Sequence, residues 1–212
     1  MVNSSCKLYL ITPEYFDPKV FSNHLAAAID AGNVACVQLR MKNTTLDEVA
    51  YTIDILRPIV QNRNVAFILN DNPNLAVKTG CDGVHVGQSD APYQEARAIV
   101  GTESIVGVTC LDSLDLAMRA AEQGADYVAF GAFFPTNTKI SKGHPSLSLI
   151  DSWSTFTTVP CVAIGGIRPD NCAQLVSAGA DFLAVVSAIW DHPSGPAAAM
   201  KEFNKIIEIA GN

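Results

Sequence analysis

Charge is scarce in this chain, and so are the signals of export. Of 212 residues, 17% are Asp, Glu, Lys or Arg and 49% are apolar. A chain of this length and apolarity can bury one sizeable core and is short for two ordinary domains, so a single domain over residues 1–212 is expected. Fourteen basic residues stand against twenty-one acidic ones, for a net charge of -7 and a pI near 4.9. That balance argues against a surface built for nucleic acid or anionic membrane. Cations that gather at one place must then serve something local, and an anionic small molecule is the natural candidate. The six cysteines form no C-x-x-C pair and mostly lie in apolar runs, where they act as small hydrophobes; a reduced, cytoplasmic chain is expected. No segment reaches the length of a membrane span, and MVNSSCKLYLITPEYF lacks the charged and then apolar stretches of a signal peptide. Also missing is a nucleophile beside its base. His24, His144 and His192 read as surface or loop residues, and His85, between two valines, reads as a residue that fills the interior or pairs internally.

What is present centres on Val65 to Asp90, where two short apolar runs each end in an acid. Val65 to Leu69 is too short for a helix and reads as a buried parallel strand ending at Asn70-Asp71. Pro73 opens a short helix that Gly80 closes, and Gly83 to Val86 is the next strand, running out at Gly87-Gln88 and Asp90. If these strands are neighbours, Asp71 and Asp90 open onto the same edge, about one strand spacing or a little more apart. A hard divalent cation could sit between them. Each Asp taken singly also suits a helix cap, Asp71 for the helix at Pro73 and Asp90 for the one after Ala91-Pro92; both readings stand at this point.

The rest of the chain repeats the same unit. Strands are expected at Leu8–Thr12, Val34–Arg40, Ser104–Thr109, Asp126–Gly131, Pro160–Ile164 and Phe182–Val186, besides the two above. Helices are expected from Pro18 to Ala31, from Thr44 with Glu48 behind it, after a cap at Asp112, from Leu147 to about Ser154, from Pro169 to Ala178 and from Pro196 to Ala210. About eight strand-helix alternations in this length are what a single (β/α)8 TIM barrel needs, with a doubly wound open sheet as the alternative. AGNV, TGCDGV, QGADYV and AGADFL recur before every second strand, so one turn solution is reused at regular intervals, which favours the closed barrel.

In this register the unusual polar residues fall at strand C-termini, the face on which barrels carry their chemistry. Gln38, Arg40 and Lys42 share one side of their strand by period two, which suits a polyanion held by a guanidinium fork and a point charge. Asn70, Asp71, Gln88, Asp90 and Thr109 follow strands three to five, and Thr136, Thr138 and Lys139 follow strand six. Gly165-Gly166 and Val186-Ser187 follow strands seven and eight, where barrels commonly bind phosphate; as alternatives they are tight-turn glycines and a serine N-cap. Two carboxylates are too few for an all-protein cage, so the expected metal is Mg²⁺, completed by substrate phosphate and water. The loop from Pro135 to Pro145 is long, polar and carries Lys139, and is expected to order over the site.

Seven pieces together resemble one family, thiamine phosphate synthase: QLRMK at Gln38–Lys42, LND at Leu69–Asp71, DGVHVGQSD at Asp82–Asp90, GVT at Gly107–Thr109, PTNTK at Pro135–Lys139, IGGI at Ile164–Ile167 and VVSAI at Val185–Ile189. They span nearly the whole chain in order. The resemblance implies that Gln38, Leu39, Arg40, Met41, Lys42, Asn70, Thr109 and Lys139 hold a hydroxymethylpyrimidine diphosphate, and that Arg40, Lys42, Thr109 and Lys139 act in catalysis. It implies that Asp71 and Asp90 hold Mg²⁺, and that Thr136, Asn137, Thr138, Gly166, Val186 and Ser187 hold a hydroxyethylthiazole phosphate. The products would be thiamine phosphate and diphosphate, with small molecules as partners, neither nucleic acid nor membrane, and a homodimer left open. Met41 stands where the family usually has Glu, Thr109 where Ser is common, and Asn72 where Arg or Asp is frequent. A thiazole tautomerase-like paralogue and a non-catalytic thiazole or thiamine phosphate sensor are the competing readings; the retained Arg40, Lys42, Asp71, Asp90 and Lys139 weigh against both.

Overall fold

The computed structural model describes residues 6–136 and 143–211. Its strands are β1 (Lys7–Ile11), β2 (Val34–Leu39), β3 (Ala66–Asn70), β4 (Gly83–Val86), β5 (Ile105–Leu111), β6 (Tyr127–Gly131), β7 (Cys161–Ile164) and β8 (Phe182–Val185). Each pairs in parallel with the next, and β1 pairs with β8 from Lys7↔Phe182 to Leu10↔Val185, which closes the barrel and removes the open-sheet alternative. Around it run α1 (Pro18–Asp30), α2 (Leu46–Gln61), α3 (Pro73–Thr79), α4 (Tyr93–Val100), α5 (Leu114–Gln123), α6 (Leu147–Phe156), α7 (Ala173–Ser177), α8 (Ser187–Trp190) and α9 (Pro196–Ala210). This is a (β/α)8 TIM barrel.

Period-two alternation divides the apolar residues between two cores. Inside the barrel lie Tyr9, Ile11, Cys36, Ile68, Tyr127, Ala129, Val162 and Ala184. Between barrel and helices lies the larger cluster, which includes Leu8, Leu10, Val37, Leu39, Phe67 and Val84 from the strands and Leu25, Leu56, Trp153 and Phe203 from the helices. The interior is narrow enough to dictate a glycine: a Cβ on Gly107 would lie 1.9 Å from Cζ of Tyr127, whose ring fills the space over β5.

The recurring turn before alternate strands has a use that caps and turns alone do not describe. Asp82 accepts the Phe67 N–H at 2.7 Å, Asp126 the Val106 N–H at 2.7 Å and Asp181 the Cys161 N–H at 2.8 Å. In each case the acid entering an even strand holds the first part of the preceding odd strand. The repeat is therefore a set of carboxylate pins at the N-terminal rim, and it explains why Asp recurs there rather than any turn-forming residue.

Several helix starts differ from the expectation. The α2 cap is Thr45, in a reciprocal capping box with Glu48, rather than Thr44. The α5 cap is Ser113, whose Oγ accepts from Leu116 N, and Asp112 instead accepts the His144 N–H. α7 does not begin until Ala173, because Asn171 takes the Arg168 N–H and donates to Gly166 O, folding the preceding residues into a turn. α8 was not expected; Ser187 is its first residue, not its cap, which is Val186.

Candidate active site

The C-terminal ends of the strands surround a cavity of about 430 Å³. Gln38, Arg40, Lys42, Asn70, Asp71, Asp90, Thr109, Thr136, Gly166, Val186 and Ser187 all line it, as do Gln88 and Gly165. Strands 2 to 5 thus bring their polar ends to one side, and the turns after β7 and β8 bring theirs to the other. Leu39 and Met41 do not reach it. Leu39 is wholly buried between barrel and helices and Met41 packs against that same layer, because alternate residues of a strand face opposite ways. Asn137, Thr138 and Lys139 lie outside the described residues, and so does most of the loop expected to order over the site.

Neither acid is the helix cap it resembles. The α3 cap is Asn72, whose Oδ1 accepts the Leu75 N–H at 2.9 Å. α4 starts behind Pro92 with no side-chain cap, and Asp90 turns back so that Oδ2 accepts the Gly87 N–H at 2.7 Å. Asp71 sits at φ +67°, a left-handed conformation uncommon outside glycine, with its N–H donated to His85 O at 2.8 Å. The strained backbone swings its carboxylate into the mouth, where it receives a hydrogen bond from Lys42 Nζ. Burial pushes the Asp90 carboxyl above the ordinary carboxylate range, and the neighbouring Asp71 carboxyl raises it further, while the Gly87 N–H and the Lys42 charge pull the other way.

The cations are placed by the chain around them. Thr12, almost fully buried at 2% exposure, accepts the Arg40 N–H at 3.1 Å and also donates to Arg40 O, so the backbone that carries Arg40 is fixed across the β1–β2 boundary. On the opposite side Gly165 and Gly166 adopt φ of +103° and +62°. A Cβ at Gly166 would lie 2.4 Å from Pro135 O, so glycine lets the turn after β7 pass directly under the segment leaving β6. Trp190 of α8 donates to Ile11 O at 2.7 Å and ties that short helix to the end of β1.

The floor of the cavity carries inward-facing strand residues. Gln38 Nε2 donates to the Tyr9 hydroxyl at 2.8 Å, which meets the Tyr127 hydroxyl at 2.8 Å. Tyr127 meets His85 Nδ1 at 2.9 Å, and His85 Nε2 meets Thr109 Oγ1 at 2.7 Å. His85 is internally paired, as expected, and the pairing runs through two tyrosines that were missed. Their signal was available: a phenol at an inward strand position must find a polar partner.

Glu14, Asp71 and Asp90 face Arg40 and Lys42 among the described cavity residues, three acids against two cations. Two adjacent carboxylates open to a roomy cavity fit a hard divalent ion that retains water and substrate oxygens, and Mg²⁺ is the ion with that habit. No group of three or more His, Cys, Asp or Glu suited to a metal occurs among the described residues.

The model of the family described as thiamine monophosphate synthase matches residues 8–189. A thiamine-phosphate synthase of Rhodospirillum centenum is 58% identical over 204 residues, covering 96% of this chain and 99% of the relative. One from Hyphomonas neptunium is 44% identical over 207 residues, covering 95% and 94%. Among solved structures, a thiamine phosphate pyrophosphorylase from Pyrococcus furiosus superposes with a TM-score of 0.85 at 29% identity over the whole of both chains. With its barrel, its polar strand ends and these likenesses along its full length, the chain belongs to the thiamine monophosphate synthase family.

Proposed function

We propose that the cavity forms thiamine phosphate by releasing diphosphate from the pyrimidine before the thiazole attacks. The activity is that of a transferase of thiamine biosynthesis, which condenses hydroxymethylpyrimidine diphosphate with hydroxyethylthiazole phosphate. The observation that carries the mechanistic reading is the convergence of Arg40, Lys42, Asp71, Asp90 and Thr109 on one side of the mouth, with Gly166 and Ser187 on the other.

In this reading Arg40, Lys42, Thr109 and Lys139 face the diphosphate, and Gln38 and Asn70 position the pyrimidine. Gly166, Val186, Ser187 and the segment Thr136–Thr138 receive the thiazole phosphate. Asp71 and Asp90 would hold Mg²⁺, which would supply charge neutralisation at the leaving group. Arg40 and Lys42 add fixed positive charge where negative charge develops, and Thr109 adds a hydroxyl donor. The apolar lining residues Ile11, Ala129, Val162, Ile164 and Ala184 limit the water near the cation left on the pyrimidine methylene. Thiazole nitrogen brings its own lone pair, so no general base is needed. This accords with His85, both of whose ring nitrogens are engaged with Tyr127 and Thr109, and it disfavours a tautomerase that relies on a histidine base.

The same reading treats residues 1–212 as one working domain. It extends to the cytoplasm, where six unpaired thiols, five of them buried, stay reduced. Among the described residues no helix is long and apolar enough to cross a membrane. A homodimer would carry two such sites, since every residue named above comes from one chain. The test is diphosphate release in a single turnover with both substrates and Mg²⁺, for the natural chain, Asp71→Asn, Asp90→Asn and the double variant. Each single should lose orders of magnitude, and the double should be little worse than the worse single, because groups serving one ion act as a unit. Multiplying losses, or a near-normal rate in either single, would remove the shared ion from the mechanism.

A further inference from the structure

The five side chains along the cavity floor form one continuous chain of hydrogen bonds from β2 to β5: Gln38, Tyr9, Tyr127, His85 and Thr109. Gln38, Tyr9, Tyr127 and His85 are exposed by 3%, 3%, 6% and 8%, so water does not substitute freely for any link. Burial holds both phenols far above the ordinary tyrosine range, and each therefore keeps its hydrogen and must donate it somewhere.

Along these four hydrogen bonds only two directions are consistent when the imidazole is neutral. With Gln38 donating to Tyr9, the Tyr9 hydroxyl donates to Tyr127 and Tyr127 donates to His85 Nδ1. His85 then carries its hydrogen on Nε2 and donates to Thr109 Oγ1. At the two ends, Gln38 turns its carbonyl oxygen toward the cavity as an acceptor, and Thr109 has its own hydrogen left to offer an anion. The reverse direction needs Gln38 to present its amide N–H groups, both tyrosines to turn round, His85 to move its hydrogen to Nδ1, and Thr109 to spend its hydrogen on His85. Along these bonds the two ends are set together.

We propose that Tyr9, Tyr127 and His85 are positioning residues that lock the amide orientation of Gln38 to the donor state of Thr109, and that this lock selects a pyrimidine with an exocyclic amine over one with a carbonyl oxygen. The inference rests on the reading that Thr109 faces the diphosphate and Gln38 the pyrimidine. An anionic oxygen at Thr109 requires the hydroxyl hydrogen, which fixes the forward direction and leaves an acceptor at Gln38. An amine satisfies that acceptor. A carbonyl oxygen in the same place would face it lone pair to lone pair, and Gln38 could turn to meet it only by reversing every bond behind it. Left unreversed, the pair is a buried unsatisfied acceptor, the kind of mismatch that gives strong discrimination.

The experiment uses the diphosphates of the aminopyrimidine and of its oxo analogue with the full-length protein and its Tyr9→Phe and Tyr127→Phe variants, each of which keeps the ring and removes one link. The natural chain should turn over the aminopyrimidine and reject the oxo analogue. In either variant the ratio of kcat/KM between the two should fall by roughly tenfold or more, chiefly through a lower KM for the oxo analogue, because Gln38 is freed to turn. ¹⁵N resonances of His85 give a second readout that a merely structural role would not move: hydrogen on Nε2 in the natural chain with inorganic diphosphate bound. If the natural chain turns over the aminopyrimidine and folded variants keep its discrimination, the lock is overturned while the assigned function stands. If the natural chain releases no diphosphate, the functional reading falls and the lock falls with it. A hydrogen on Nδ1 in the natural chain with diphosphate bound also overturns the lock, whatever the kinetics.

Discussion

Lys42 Nζ donates directly to Asp71 Oδ2 at the cavity mouth, so one of the site's cations is already spent on one of its acids. The pair is about one-third exposed on each side, at 37% and 31%, which limits its worth to ~1 kcal/mol or less. Lys42→Met should therefore bind Mg²⁺ or Mn²⁺ without substrate more tightly than the natural chain, by roughly fivefold, the equivalent of that ~1 kcal/mol. Turnover should fall at the same time, because the charge proposed to face the diphosphate is gone. Titration calorimetry and Mn²⁺ resonance on the free protein measure the first effect. Unchanged or weaker metal binding would show that Lys42 does not compete for Asp71.

Gly107→Ala tests the interior. Its Cβ would occupy the position of the Tyr127 ring, and the residue cannot step aside because β5 is paired on both sides. Overpacking of this kind costs about 1–3 kcal/mol. Urea denaturation should show that loss, and activity per folded molecule should drop as well, since Tyr127 is displaced from His85. A variant of normal stability would mean that the ring relocates without strain.

Asp126→Ala tests the carboxylate pins. It leaves the buried Val106 N–H without its acceptor and removes the partner of Arg97, at a cost of about 1–3 kcal/mol. Because the pin is at the N-terminal rim, kcat should stay within a factor of two or so of the natural chain at temperatures where the variant is folded. A large kcat defect in folded protein would mean that the lower rim reaches the site.

Glu48 sets a pH dependence. Hydrogen bonds from the Thr44 hydroxyl first, then the Thr45 N–H and hydroxyl, hold its carboxyl at about 2. A depressed carboxyl contributes stability that is fully present above its unfolded value of about 4.3 and is lost as pH falls through about 2. Glu48→Gln should remove that slope between those two values, lowering stability slightly at neutrality while leaving it little changed at the acid end, where the natural chain has lost the contribution too. Acid denaturation followed by circular dichroism decides it; parallel curves for the two proteins would deny Glu48 this part in the pH response.

Much of the fold was legible because it is local. The alternation of Leu8, Leu10, Val37 and Leu39 with Tyr9, Ile11, Cys36 and Gln38 is a property of extended backbone, and it assigns each residue to the outer or inner core before any partner is known. The glycine-containing turn that recurs before alternate strands announced the barrel, and the polar residues at strand ends announced which rim holds the chemistry. Local signals also have a local failure: Asp71 and Asn72 are equally suited to cap α3, and composition could not choose between them. The structure chose Asn72, because the hydrogen bond from Asp71 N–H to His85 O turns the backbone left-handed and sends the Asp71 carboxylate elsewhere.

The floor of the cavity was decided only by closure. Tyr9 and Tyr127 are separated by 118 residues, and nothing near either one names the other. They meet because β1 and β6 face each other across a barrel whose diameter is set by strand number and tilt, which brings inward side chains of non-adjacent strands into one layer. Sequence by itself thus determined which residues face inward and which rim is polar. Tertiary structure determined which of them touch, since a hydrogen bond is directional and short, and only the closed barrel fixes both the distance and the direction.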